Sequence, residues 1–436
     1  VSDDAAGTHR LARPTRRRVV RHDPGLVLLV LLTFACGEKS TGIAQPQSAT
    51  GAAKLQTGME TVPSPTGADA AEPFLFNTRG GIGLSWLEPL ANTDRVAMKF
   101  AVYRNGQWTA PRTVIERNDL FMNWADFPSV VEDANGVLFA HWLQKSGTGT
   151  YAYDVQMATS RDGGATWSKP FLLNRDGRAR EHGFVTLTPL REGGVGATWL
   201  DGRNMTAGEH GEEDSGDMSL RYANVDASGN ITEDAQLDER TCECCTTGMT
   251  MTANGPVIVY RDRSSDEIRD VSYVRRAANG WTTPRPVRAD GWKITGCPVN
   301  GPQIDASGNA VATAWFTAAN EQQRVYAAFS NDAGETFGNA IAVDDGKPAG
   351  RVDVVMLDGR TALVTWLEQT AAGAEIRARK IPREGTPGPA AKVADASTAR
   401  AAGFTRIVRA GDGAVWFTWT EHDGKSKKIH VSRGRF

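Results

Sequence analysis

Cysteine is scarce, five in 436 residues, and the chain is long enough to bury a large apolar core instead. Neither sign of charge is in excess. The 49 basic and 51 acidic side chains leave a formal net charge of −2, which excludes the basic footprint of a nucleic-acid-binding protein. No apolar run reaches the roughly 20 residues that a membrane-spanning helix needs; residues 25–35 offer about eleven. Long helical periodicity is also missing. Glycine is abundant, at 46, and so is tryptophan, at 12. Many turns with large core side chains between them point to an all-β protein.

The first segment reads as an address. Arg16, Arg17, Arg18 and Arg21 form a basic region ahead of the apolar run, the order of an export signal. That run ends at Thr33-Phe34-Ala35-Cys36-Gly37, which resembles a bacterial lipobox in Ala35 and Cys36 and departs from it in Thr33 and Phe34. The expectation is a signal peptide over residues 1–36 and lipidation at Cys36. The protein is then exported and lipid-anchored in the bacterial envelope, in the periplasm or at the outer membrane. Residues 37–71 are rich in Ser, Thr, Gly, Ala, Pro and Gln and read as a flexible tether.

Residues 73–436 repeat one pattern. An apolar strand ends on an aromatic residue, at Trp86, Trp142, Trp199, Tyr260, Trp315, Trp366 and Trp419. Successive aromatics are about 51 to 61 residues apart, the period of a four-stranded propeller blade. Two hairpins between blade strands carry a further signature: Ser160-Arg161-Asp162-Gly163-Gly164-Ala165-Thr166-Trp167 and Ser330-Asn331-Asp332-Ala333-Gly334-Glu335-Thr336-Phe337. Ser and Asp oxygens can bond the turn's own amides while the aromatic packs beneath. The chain here resembles the Asp-box, or bacterial neuraminidase repeat, propellers, the fold of sialidases. Seven blades are expected, with six, usual among sialidases, as the alternative. The seventh repeat runs out after three strands, so residues 54–62 are expected to close the ring by supplying its outer strand.

In such a ring the lead-ins to the first strands and the loops after the aromatics share one rim. Asn123, Trp124, Asp126, Glu181, His182, Asn300 and Arg351 fall on lead-ins. Asp201, Arg203, Arg261 and Arg263 follow aromatics. Arginines there can clamp a carboxylate in bidentate fashion. Asp126, Glu181 and Asp201 are the candidate catalytic carboxyls, and an adjacent pair would split into acid and base. Arg203, Arg261, Arg263, Arg351, Asn123, Trp124 and Asn300 are the candidate substrate contacts. The same arginines and carboxylates would equally serve to brace neighbouring blades.

Cys242-Glu243-Cys244-Cys245 leads into one first strand, Cys297 into the next, and His182 into the one before. In an oxidising compartment four thiols can make two disulfides. Alternatively, these thiolates and the imidazole would surround a soft ion, copper or zinc.

The resemblance implies an exo-α-sialidase type of glycosidase: three arginines on the substrate carboxylate, a Tyr–Glu nucleophile pair and an Asp acid–base. Arg79, Arg261 and Arg351 are the nearest counterparts of the arginines, although the usual Arg-Ile-Pro triplet is missing. Tyr151 and Tyr153 start a strand, and Tyr260 and Tyr326 lie within strands, so no tyrosine is expected at the rim. Three functions follow as expectations. One is a monomeric propeller that binds or hydrolyses a glycan or other small acidic ligand. Another is a metal-binding or redox protein built on the cysteines. The last is a non-catalytic surface scaffold.

Overall fold

The computed structural model describes residues 58–206, 216–422, 424 and 426–436. The export signal, Cys36 and residues 37–57 of the tether lie outside the described residues.

The described chain forms seven antiparallel sheets of four main strands, which in the first six run in chain order from the inside outwards. Blades one to seven begin with the inner strands Ala71–Thr78, Ser129–Glu132, His182–Pro189, Gly248–Thr252, Gln303–Ser307, Pro348–Met356 and Arg406–Arg409. The seventh blade takes its outer strand from the start of the described chain: Glu60–Val62 pairs with Lys427–Gly434, with Glu60 opposite Arg433 and Val62 opposite Val431. Seven blades and the ring closure are as the repeat predicts, three residues sufficing for the seam.

The second strands are almost continuously apolar because a neighbouring sheet covers each of their faces. Val195–Asp201 is buried at every position. Trp86, Trp142, Trp199, Tyr260, Trp315, Trp366 and Trp419 all lie in these second strands and are all buried. A buried indole or phenol must satisfy its polar atom, and the blades do so in a recurrent way. The indole N–H of Trp86, Trp142, Trp199 and Trp366 donates to the side chain two residues on: Glu88 at 2.9 Å, Gln144 at 3.4 Å, Asp201 at 2.8 Å and Glu368 at 2.6 Å. Trp315 uses Asp290 at 2.8 Å, and the Tyr260 hydroxyl donates to Asp238. In the seventh blade His430 stacks on Trp419 and holds Glu421 instead.

Both Asp-box hairpins close as their residues require. Ser160 Oγ and Asp162 take the amides of Gly164 and Thr166, and Ser330 and Asp332 repeat this on Gly334 and Thr336. Gly164 and Gly334 have φ of 83° and 78°, which glycine adopts without strain. Trp167 packs edge-on to Phe100 and Phe337 to Tyr273, so both turns are pinned to the core.

Trp366→Phe keeps a smaller aromatic ring in place and removes the donor to the buried Glu368. It should cost about 1–3 kcal/mol, the penalty for stranding a buried acceptor, read as a lowered urea midpoint. An unchanged midpoint would mean that the indole–carboxylate pairs do not hold the blades.

Candidate functional site

A cavity of about 680 Å³ opens at the end of the ring where the lead-ins to the inner strands gather. Blade two supplies Asn123, Trp124 and Tyr151, blade three Glu181, blade four Glu243 and Cys244, blade five Cys297, and the approach to blade seven Arg400. The inner strands of blades one, three and six are bulged near this end. Each bulge holds a non-glycine residue in the left-handed region: Glu72 at φ 58°, Phe184 at 55° and Arg351 at 59°. A bulge re-aims the side chains around it, and such strain persists only where the surroundings impose it.

The bulge in blade three brings three titratable groups together. Glu181 precedes it, and its Oε1 accepts from the Tyr153 hydroxyl at 2.9 Å. Tyr153 is buried and stacks on Phe121 with ring centroids 4.3 Å apart. Asp126 Oδ2 accepts the Phe184 amide at 2.7 Å. Gly183 lies between the carboxyl and the phenol. A Cβ there would stand 2.1 Å from Asp126 Oδ2 and 3.1 Å from the Tyr153 hydroxyl oxygen, so only glycine lets these groups meet. Tyr153 is buried behind Glu181, and Tyr151, two residues before it, lines the cavity, contrary to the expectation that no tyrosine reaches the rim. A residue just ahead of a strand shares the rim with the lead-ins, and that position is the signal the sequence carries.

Burial dominates the electrostatics. It pushes Glu181 up to about 8, against the Tyr153 hydrogen bond and with the help of the Asp126 charge. It pushes Asp126 up to about 7, against the Phe184 amide and the Arg406 charge. The Tyr153 phenol is driven well above its ordinary value by burial and then by the Glu181 and Asp126 charges. Asp126 is also one of a series of latches between blades. Asp305 accepts the Met356 amide at 2.7 Å and Asp353 the Ile407 amide at 2.8 Å, and burial pushes both carboxyls to about 6. What sets Asp126 apart is Oδ1, which is buried without a protein partner.

Most of the other predicted contacts bind the protein itself. Asp201 is fully buried, with Trp199 on one oxygen and Arg203 bidentate across both at 2.7 Å. Buried Arg261 donates to the carbonyls of Asn300, Arg269 and Phe316, so it braces blades four and five. Arg263 pairs with Glu243 and Glu267. Arg351 donates to the carbonyls of Val299 and Arg400 and lies over the Phe404 ring at 4.1 Å. Asn300 Oδ1 accepts the Arg351 amide, and Asn123 Oδ1 caps the Ala125 amide. Arg79 pairs with Glu132 at 2.9 Å. Trp124 lines the cavity beneath Arg400, whose guanidinium is 5.7 Å from its ring. Arg400 and Glu243 also line the cavity, and the sequence does not mark them: the first sits in an unpatterned lead-in, the second among cysteines.

All four described cysteines are free thiols in this structure. The Cys242 sulfur lies 3.8 Å from that of Cys244 and 3.5 Å from that of Cys245, and Cys297 meets Cys244 from the next blade. His182 does not join them. Its ring is buried among carboxylates, with Nε2 3.3 Å from Asp176 and 3.8 Å from Asp201, while Nδ1 meets the carbonyls of Tyr153 and Arg180. The partners of this ring come from blade two, the approach to blade three and blade three itself, and none of them from blade four.

Among known proteins, the family model described as a BNR repeat-like domain matches residues 92–346. No curated protein matches the sequence. Three solved structures illustrate the likeness. The Hadza microbial sialidase Hz136 is 15% identical, with 74% of this chain covering 66% of that one at a TM-score of 0.41. The polysaccharide lyase Uly1 is 10% identical over 84% of this chain and 90% of its own, at 0.50. A variant of the NanB sialidase from Streptococcus pneumoniae is 8% identical over 86% and 94%, at 0.44. At these identities the likeness is one of fold.

The raised Asp126 value has a consequence for stability. The folded chain binds a proton between the unfolded value, about 3.9, and the folded one. Its contribution is therefore full below the unfolded value and is lost as pH rises through about 7. Asp126→Asn keeps an acceptor for the Phe184 amide and should flatten the loss of stability between about pH 4 and 7, read by urea denaturation at successive pH values. An identical slope in wild type and variant would mean that Asp126 is ionised throughout.

Proposed function

The chain belongs to the BNR repeat-like domain family, and from that premise we propose that its propeller mouth binds and hydrolyses an acidic glycan. The observation that carries the reading is the hydrogen bond from the buried Tyr153 to Glu181, whose carboxyl lines the mouth cavity with Asp126 buried behind it. Environment splits the two carboxyls: Glu181 is protonated at neutral pH, and Asp126 titrates below it. Glu181 lines the cavity and gives its proton to the departing glycosidic oxygen. Once the leaving group has departed, water adds to the anomeric carbon and returns a proton to the Glu181 carboxylate, so one glycosidic bond and one water become two hydroxyl groups.

Arg400 is the cavity arginine best placed for a sugar carboxylate. One of its nitrogens is held by the Cys297 carbonyl at 3.2 Å, and its guanidinium faces the same space as Glu181. Tyr151, the most exposed large aromatic side chain among the described residues at 54%, offers a ring face at the rim for a sugar to stack on. The similarity in fold to the sialidases Hz136 and NanB is in keeping with a terminal acidic sugar as the substrate.

The test is release of free sugar acid from a panel of glycans capped by acidic sugars. Glu181→Gln should lower kcat by about 10²–10⁴-fold, the usual worth of a positioned acid. Arg400→Ala should raise KM for acidic glycans and leave neutral ones unaffected. The wild-type rate should fall as pH rises through about 8, where Glu181 loses its proton. Neither binding nor release across the panel would refute the reading.

The basic segment, the apolar run and Cys36 support a lipid-anchored, exported protein. A palmitate analogue fed to an expressing bacterium should label the wild type and not Cys36→Ser. Unlabelled wild type would exclude the anchor.

A further inference from the structure

The glycan chemistry leaves the cysteines without a task. We propose that Cys242, Cys244, Cys245 and Cys297 hold one thiophilic closed-shell metal ion, Zn²⁺ or Cu⁺, in the wall of the mouth cavity, and that the ion clasps blade four to blade five.

Of the four described cysteines three converge, and Cys297, far from them in sequence, approaches Cys244 from the lead-in to the next blade. The Sγ atoms of Cys242, Cys244 and Cys245 lie within 4.8 Å of one another. A tetrahedral ion with metal–sulfur bonds of about 2.3 Å has its sulfurs about 3.8 Å apart. The separations of 3.8 and 3.5 Å from Cys242 are close to that edge length. Soft sulfur donors with no oxygen or nitrogen among them select Cu⁺ and Zn²⁺ over magnesium, calcium or manganese.

The surroundings suit a thiolate site. Cys242 and Cys245 are buried, 0% and 2% exposed, so two of the sulfurs are shielded from competing water. Thiolates around one cation leave a negative complex, and arginines surround it. Arg269 Nη1 donates to Cys242 Sγ at 3.3 Å, and the charges of Arg261 and Arg351 act on Cys245. Arg269 is held in turn by Glu243 at 2.7 Å and Glu267 at 2.9 Å, which fixes its reach. Cys297 is exposed and comes from the lead-in to the next inner strand. It completes a tetrahedron for Zn²⁺, or remains outside a three-sulfur site for Cu⁺. Cys244 and Cys297 also line the cavity that holds Glu181, so the ion would sit in the wall of the same mouth.

The test uses the full chain, reduced under nitrogen and titrated separately with Zn²⁺ and with Cu⁺. Native mass spectrometry should show one ion per chain. Bound metal should protect Cys244 from alkylation and raise Tm. Cys244→Ser should weaken both ions by at least about 10-fold. Cys297→Ser, a change at an exposed position, should weaken Zn²⁺ and spare Cu⁺ if the copper site is three-sulfur; weakening of both would mean that all four sulfurs bind either ion. Glu181→Gln should bind metal as the wild type does, so this test is independent of the glycan reading. Failure of the reduced wild type to bind either ion stoichiometrically would overturn the proposal, as would isolation of the native protein with its four cysteines in two disulfides.

Discussion

The ring depends on how it disposes of the polar edge of each buried aromatic. An indole in the second strand is covered on both faces by neighbouring blades, so its N–H needs an acceptor that the protein supplies. Four blades answer with a side chain two residues on, at Glu88, Gln144, Asp201 and Glu368. Each acceptor lies where the second strand runs into the rim. The packing of the core therefore claims part of the rim's polarity before any ligand arrives. Arg203 on Asp201 and Lys99 on Glu88 then follow as partners of acceptors that the core has already fixed.

A second constraint shapes what is left. Inner strands of adjacent blades lie side by side around the axis, and their spare amides are met by carboxylates from the blade before: Asp126 for Phe184, Asp305 for Met356 and Asp353 for Ile407. Holding a carboxyl there takes it out of water, and burial raises all three. A latch required by the fold thereby becomes a group that titrates near neutrality. In blade three the bulge at Phe184 adds Glu181 and Tyr153 to such a latch, and the site arises from structural parts already in use.

The architecture was legible because it is written in apolar spacing. Seven strands ending in aromatics gave the blades, and a seventh repeat one strand short predicted the seam that Glu60–Val62 closes. Membership of the rim could also be read, since it depends only on where strands begin and end. The partner of each rim residue could not. Asp201 and Glu181 look alike as carboxylates near strand ends. One faces its own Trp199 and the other faces the cavity, a difference of side-chain direction set by a bulge that no spacing reveals. Arg261 looked like a ligand clamp and is a brace between blades, because its reach happens to match three carbonyls. His182 was grouped with the cysteines by rank along the chain, whereas its ring turns to Asp176 and Asp201.

The chemistry proposed for the mouth turns on a Glu181 carboxyl that stays protonated at neutral pH. The most direct measurement is an NMR titration of its carboxyl carbon, assigned by the disappearance of that signal in Glu181→Gln. The account predicts a midpoint near 8. A midpoint near the ordinary glutamate value of 4.5 would contradict it, because the carboxyl would then be an ordinary solvated rim charge with no proton to give.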